Sequence, residues 1–381
     1  MTRIFPIATL GLLAAAHLFA ASSFGAGLPA GASPAASLPA AAVEPAPRAE
    51  LPFRPQIVYG SRVLNEDTTW RGEVLVDGVL VIAPQATLTV EPGAVVRFRR
   101  NGSQGAQLVV QGRLIVSGTR EMPVLFGSAL ADPQPVDWQG ILLLGSEKKN
   151  VLENCRIEGA ETGLEALYST VTLKGVKAGR SHTGFRFQDA LVTMEGGGAA
   201  DCDAGVRLAE SEATLRGVVL SGNRQGINAL HSSLYLSEAN LSGNRSAGLA
   251  ADGCRIKFQG GQVSGNGSGV TLLGCEGSIL GAKLMKNREF GLSLSTSRVK
   301  VVGNQIFGNG NNGVIVTDGA AAAWDNAIYD NAGYDLYHSG LDEFRAPANW
   351  WGGGQPKIFD NNGRGRVLFS PVLGAKPQSM R

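Results

Sequence analysis

The stretch LSGNRQGINAL at residues 220–230 is followed, 21 residues on, by LSGNRSAGLAA at residues 241–251. The same beat runs through most of the chain. The Gly that opens each apolar run stands at Gly163, Gly184, Gly205, Gly226, Gly248, Gly269, Gly291 and Gly313, at spacings of 21 or 22 residues. Gly140 begins an earlier turn and Gly333 a late, degenerate one. A period in this range marks a repeat architecture. Within a repeat the apolar residues alternate: Val206 and Leu208 flank Arg207, Ile256 and Phe258 flank Lys257, and a third short apolar position recurs at Leu220, Leu241, Val263, Leu284, Ile306 and Ile328. Period-two alternation gives strands with one buried face, and no segment keeps a helical period. Three short strands per repeat, broken by Gly, Ser, Asn and Asp, make one coil of a parallel β-helix.

Asn recurs at one phase: Asn223, Asn244, Asn266, Asn287, Asn309 and Asn331. Stacked coils bring these amides about 4.8 Å apart, the ordinary strand spacing. The reading is a structural asparagine ladder at a corner, where αL tolerance and amide-to-amide hydrogen bonding both favour Asn. The fold class is therefore all-β: a right-handed parallel β-helix of 21–22-residue coils with caps at both ends.

The chain has 381 residues, 52 of them Gly, and a formal net charge of +2. That balance leaves no electrostatic footprint for nucleic acid. Residues 1–22 read as a secretory signal, with Arg3 before an apolar segment and small residues near Ala20. Residues 23–55, rich in Ala and Pro, read as a linker. Residues 56–139 are assigned to an N-terminal cap and first coils, 140–337 to regular coils, and 338–381 to a capping segment. The mature region holds no apolar run of transmembrane length. The expected location is outside the cytoplasm: periplasm, cell surface or medium. Oligomeric state is left open.

The flanks carry a resemblance. GVLVIAPQATLTVEPGAVVRF (78–98), LVVQGRLIVSGTREMPVLFGS (108–128) and VDWQGILLLG (136–145) resemble the opening coils of bacterial secreted right-handed parallel β-helix repeat proteins, a pectate-lyase-like fold. ANWWGGGQPKIFDNN (348–362) and RVLFSPVL (366–373) resemble their closing segment. The resemblance implies fold and export. Its members include polysaccharide lyases, hydrolases, epimerases and envelope proteins, so function must be argued from a site. Trp350 and Trp351 are read as a plug for the open end of the core.

Outward columns of alternating charge, such as Arg255, Glu276 and Arg298, or Lys174, Glu195 and Arg216, or Glu165, Arg186 and Arg207, read as solvated faces. One column suggests chemistry. Asp189, Glu210 and His231 follow their Gly by five residues, with Asp252 one place earlier. Carboxylates one or two rungs apart match the separations of glycosidase acid pairs. His182 and Asp203 share another corner. The C-terminal coils turn apolar on the outside. There the expectation is that the tail covers Trp324, while Phe307 and Tyr329 meet an external partner. Cys254 and Cys275 fall on adjacent rungs of a column otherwise mostly Ser, Ala or Gly, and a disulfide between them is one reading. No metal-ligand spacing and no cofactor motif is present. The leading functional reading is a non-catalytic exported β-helix that binds a polysaccharide or an envelope protein. The alternative is a polysaccharide hydrolase or lyase using Asp189, Glu210, His231 and Asp252.

Overall fold

The computed structural model describes residues 48–100 and 105–377. The signal segment and most of the linker lie outside the described residues. The chain winds through about 14 right-handed turns of roughly 22 residues. Each turn contributes a strand to each of three parallel sheets. Ala204–Ala209, Glu212–Arg216 and Val219–Ser221 form one turn. They pair in register with Gln225–Leu230, Ser233–Ser237 and Asn240–Ser242 of the next. We call these the first, second and third sheets.

The recurring Gly is set by packing between coils rather than by turn geometry. A Cβ on Gly205 would stand 2.7 Å from the Gly226 carbonyl oxygen, and one on Gly226 would stand 2.4 Å from that of Gly248. Any larger residue would push the first sheet's coils apart.

The asparagine ladder stands as read. All six amides are buried. Each Nδ2 donates to the next Oδ1, at 3.1 Å from Asn223 to Asn244, 2.9 Å from Asn244 to Asn266 and 3.0 Å from Asn266 to Asn287. Each Oδ1 also accepts the backbone N–H of the Asn before it, and the second Nδ2 hydrogen goes to a strand carbonyl, as from Asn266 to Leu241. One detail differs from the expectation. The αL residue is the one before the Asn, at Gly222, Gly243, Gly265, Lys286, Gly308 and Asp330. The Asn itself turns inward. Its last member, Asn331, donates to the Asp335 carboxylate at 3.1 Å. Burial raises the pKa of that carboxyl, against these hydrogen bonds. A second ladder, Asn304 to Asn326 to Asn349, runs down the corner between second and third sheets at 2.9 Å per step.

The corner between first and second sheets carries a hydroxyl ladder. The Ser211 hydroxyl accepts the Ala190 N–H at 3.1 Å and donates to the Ala209 carbonyl at 2.8 Å. Cys254 and Cys275 fill the same role. The Ser232 N–H reaches Cys254 Sγ at 3.3 Å, and the Cys254 N–H reaches Cys275 Sγ at 3.4 Å. Both are free thiols in the structure, where they take the place of the Ser hydroxyls in the small-residue ladder. Burial pushes the thiol of Cys202, at another corner, up to about 11, which keeps it protonated and inert.

The ends depart further from expectation. Residues 48–55 are held rather than loose: Arg48 pairs with the buried Asp137, and the Leu51 N–H donates to the Ala129 carbonyl at 2.9 Å. At the other end, residues 338–377 mostly continue the helix. Phe344–Arg345 and Val367–Leu368 add rungs to the second sheet, and Ile358–Phe359 adds one to the first. Asn349 closes the second ladder, Trp351 is buried against the core, and Trp350 turns outward. The Trp pair is thus split: one ring plugs and the other stacks.

Candidate functional site on the outer face of the second sheet

Asp189, Glu210 and His231 occupy the left-handed position of the corner between first and second sheets, with φ of 48°, 49° and 45°. Tyr168, Gly253, Gly274, Thr296 and Asp318 complete that column, all at positive φ. A turn residue explains the column without chemistry. Asp252 is not part of it. It lies in the first sheet, paired between Leu230 and Leu273.

His182 and Asp203 sit on the first-sheet face, and there the charges satisfy one another. Asp203 accepts from Arg224 through both nitrogens and from Arg207 at 3.2 Å. Arg186 reaches Glu165 at 3.4 Å. The Arg224 hydrogen bonds hold the Asp203 carboxyl below its ordinary value. Burial, reinforced by the Arg186 and Arg224 charges, lowers that of Arg207. A carboxylate held this firmly in its charged form is a poor proton acceptor.

The second-sheet face is different. A shallow depression of 140 Å³ is lined by Glu212, Thr214, Ser233, Tyr235, Arg255 and Lys257, with Ala213 and Leu234 at its floor. These come from three successive rungs, so the depression runs along the helix axis. Tyr235 is its aromatic element. The Lys257 ammonium lies 5.2 Å from the ring centroid and the Arg216 guanidinium 6.0 Å, one rung to either side. The Tyr235 hydroxyl bonds Gln259 at 3.3 Å. Among the described residues, no carboxylate pairs with Arg255, Lys257 or Lys300 within salt-bridge distance. Glu276 pairs with Arg298 at 3.2 Å, exposed to solvent. A rigid ring bordered by Lys257 and Arg216 and by Thr and Ser hydroxyls offers what an acidic sugar needs: an apolar face, cationic partners and short polar contacts.

Trp324 belongs to this face. It follows Leu280 and Val302 in the column beside Ser278 and Lys300. Phe307 and Tyr329 do not belong to it. They stack on the third sheet at 5.0 Å, Trp350 tilts against Tyr329 at 5.0 Å, and Lys376 lies 5.1 Å over the Tyr329 ring. Lys376 also donates to Gln305 at 2.9 Å. The tail therefore covers Tyr329, which the sequence reading assigns to an external partner. The Tyr329 ring takes the Lys376 cation on its face, and its hydroxyl accepts from Lys376 at 3.3 Å. Sequence reasoning missed Tyr235, whose signal was an aromatic at an outward position between cationic rungs.

Among the described residues no group of three or more His, Cys, Asp and Glu side chains could hold a metal ion. His338 is buried, with its ring nitrogens on the Val316 and Asp342 carbonyls. Among the described residues, no helix is long and apolar enough to cross a membrane.

The family described as right handed beta helix region matches residues 204–345, and that described as pectate-lyase like beta helix domain matches residues 62–170. Together with the stacked parallel sheets, these matches define the chain as a right-handed parallel β-helix protein with pectate-lyase-like coils. No curated relative matches it by sequence. Among solved structures, the A-module of the Azotobacter vinelandii mannuronan C-5 epimerase AlgE4 is similar at 17% identity. That likeness covers 78% of this chain and 91% of that one, with a TM-score of 0.50. The AlgE6 A-module from the same organism is 15% identical over 77% and 91%, with a TM-score of 0.49. The periplasmic alginate epimerase AlgG is 13% identical over 81% and 78%, with a TM-score of 0.46. At these identities the likeness is one of fold.

Proposed function

We propose that the protein is an exported carbohydrate-engaging β-helix that holds an acidic glycan on the outer face of its second sheet. The observation that carries this is Tyr235 between Arg216 and Lys257, in a depression whose Arg255 and Lys257 have no carboxylate partner. The polysaccharide in the name of the similar AlgE4 epimerase module, mannuronan, agrees with it. A second reading, turnover of the glycan, has one specific support. Glu210 and His231 stand two residues before Glu212 and Ser233, which line the depression. A carboxylate and an imidazole so placed, with Arg255 and Lys257 in the depression, are groups that proton transfer on an acidic sugar requires.

The test is retention of the purified protein in gels containing acidic or neutral polysaccharides, with reducing-end and unsaturated-product assays run alongside. Retention by acidic glycans, lost in Tyr235→Ala, supports the binding reading. Equal mobility in every gel removes it. Product formation abolished by Glu210→Gln moves the protein to the enzyme reading.

A further inference from the structure

The pattern of charge along the second sheet says more than that the face is cationic. Taken rung by rung, the two outward columns read Glu212 and Thr214, then Ser233 and Tyr235, then Arg255 and Lys257, then Glu276 and Ser278, then Arg298 and Lys300. The two cation pairs are not neighbours. They are separated by a rung whose one charged side chain is the carboxylate of Glu276. The spacing between pairs is two rungs, about 9.6 Å at the ordinary strand separation. The pairs are two residues apart along each strand, so Arg255 with Lys257, and Arg298 with Lys300, each face outward side by side. The apolar column Leu280, Val302 and Trp324 borders them on one flank.

We propose that this face selects an acidic polysaccharide whose negative charge falls on every second sugar, in preference to one charged on every sugar. The proposal rests on the glycan-binding reading above and adds the substrate class. A glycan lying along the helix axis advances by close to one rung per sugar. An alternating polymer then sets its anions against the two cation pairs and a neutral sugar against Glu276 and Ser278. A homopolymer of uronic acids sets a carboxylate against Glu276 as well. Like charges at that separation repel, and Glu276 then has to give up its partnership with Arg298 or accept the repulsion. Glu276 is thus a specificity element, and the exposed Arg298–Glu276 pair keeps it in place over the middle rung.

The experiment compares two glycans of matched chain length at one ionic strength: hyaluronan, which alternates a uronic acid with a neutral amino sugar, and polygalacturonate, which is charged on every residue. Dissociation constants are measured for wild type, Glu276→Gln and Tyr235→Ala, with circular dichroism to check the fold of each variant. The expected result is at least tenfold tighter binding of hyaluronan by wild type. Glu276→Gln should tighten polygalacturonate binding at least fivefold and leave hyaluronan within twofold. Equal or tighter wild-type binding of polygalacturonate overturns the proposal while leaving the glycan-binding reading intact. So does a Glu276→Gln variant that strengthens both alike, since that reports only added net charge. Failure of both polymers to bind wild type overturns the underlying reading as well. Duplex DNA of matched charge binding as tightly as hyaluronan would show simple ion exchange and also overturn it.

Discussion

The outer faces of the first and second sheets both carry charged side chains, and around Arg207 and around Tyr235 they use them differently. On the first sheet, Asp203 is shared between Arg207 and Arg224, and Arg186 is held by Glu165. On the second, Arg255 and Lys257 stand beside Tyr235 with no carboxylate within salt-bridge distance among the described residues, and Arg216 reaches Glu195 only at 3.9 Å. Charges that satisfy one another stabilise a surface weakly and offer a ligand little. Charges left unspent beside an aromatic ring cost the fold little to keep and are free to recognise. Residue type alone does not separate the two cases, since Arg and acidic residues repeat at the coil period on both.

That contrast predicts which substitutions cost stability and which cost binding. The largest stability loss belongs to the interior, where every polar group is spent. Asn266→Leu strips acceptors from the Asn244 N–H and Nδ2, and at about 1–3 kcal/mol per buried group left unpaired it should cost roughly 2–6 kcal/mol in thermal or denaturant unfolding. A melting curve matching wild type would mean the ladder is not carrying the corner. Tyr235→Ala should do the converse. Loss of a central aromatic contact is worth about 2 kcal/mol, or roughly 30-fold in glycan affinity, with unfolding changed by less than about 0.5 kcal/mol.

On the first-sheet face the effect is smaller and depends on pH. Arg224 holds the folded Asp203 carboxyl below its unfolded value. Its stabilisation is therefore present above the unfolded pKa near 3.9 and is lost as pH falls through the lower folded value. Asp203→Asn should cost about 0.2–1 kcal/mol per exposed pair at pH 7, and the difference from wild type should shrink toward zero in acid. A cost that persists at low pH would assign Asp203 a role other than charge. The smallest effect is expected at Cys254→Ser. A hydroxyl can accept the Ser232 N–H as Sγ does, so unfolding should move by no more than about 0.5 kcal/mol, with or without reductant. A larger loss that appears only in oxidant-treated wild-type comparisons would support the bridge between Cys254 and Cys275.

The coil was legible in the sequence because its determinants are periodic. One Gly and one Asn per turn fix the phase, and alternation supplies the rest. The same search would have found Asn304, Asn326 and Asn349, but that ladder spans only three coils and its column begins with other small residues. The reason for the Gly was not legible, because close approach of Gly205 to the Gly226 carbonyl is a property of stacked coils. The site was less legible still. Glu210 and His231 stood out as polar residues on a common phase, yet that phase is the αL corner, and their one tie to function is that they stand two residues before residues lining the depression. Arg255 reads as part of a solvated column, and Tyr235 draws no reading at all. What distinguishes Arg255 and Lys257 is that, among the described residues, no carboxylate comes within salt-bridge distance of them, which depends on side-chain placement across three rungs. The tail misled for a similar reason: that Lys376 ends over Tyr329 is decided by the path of about 30 residues after Ala346.

The central claim is that glycan recognition belongs to the second-sheet face and not to the first. The most direct measurement is the dissociation constant for an acidic polysaccharide in two double variants, Arg255→Ala with Lys257→Ala and Arg186→Ala with Arg207→Ala, each removing two positive charges. Equal loss of net charge cancels long-range attraction from the comparison. The first pair should weaken binding at least tenfold, and the second should leave it within twofold of wild type. The reverse order, or an equal loss in both, would contradict the account.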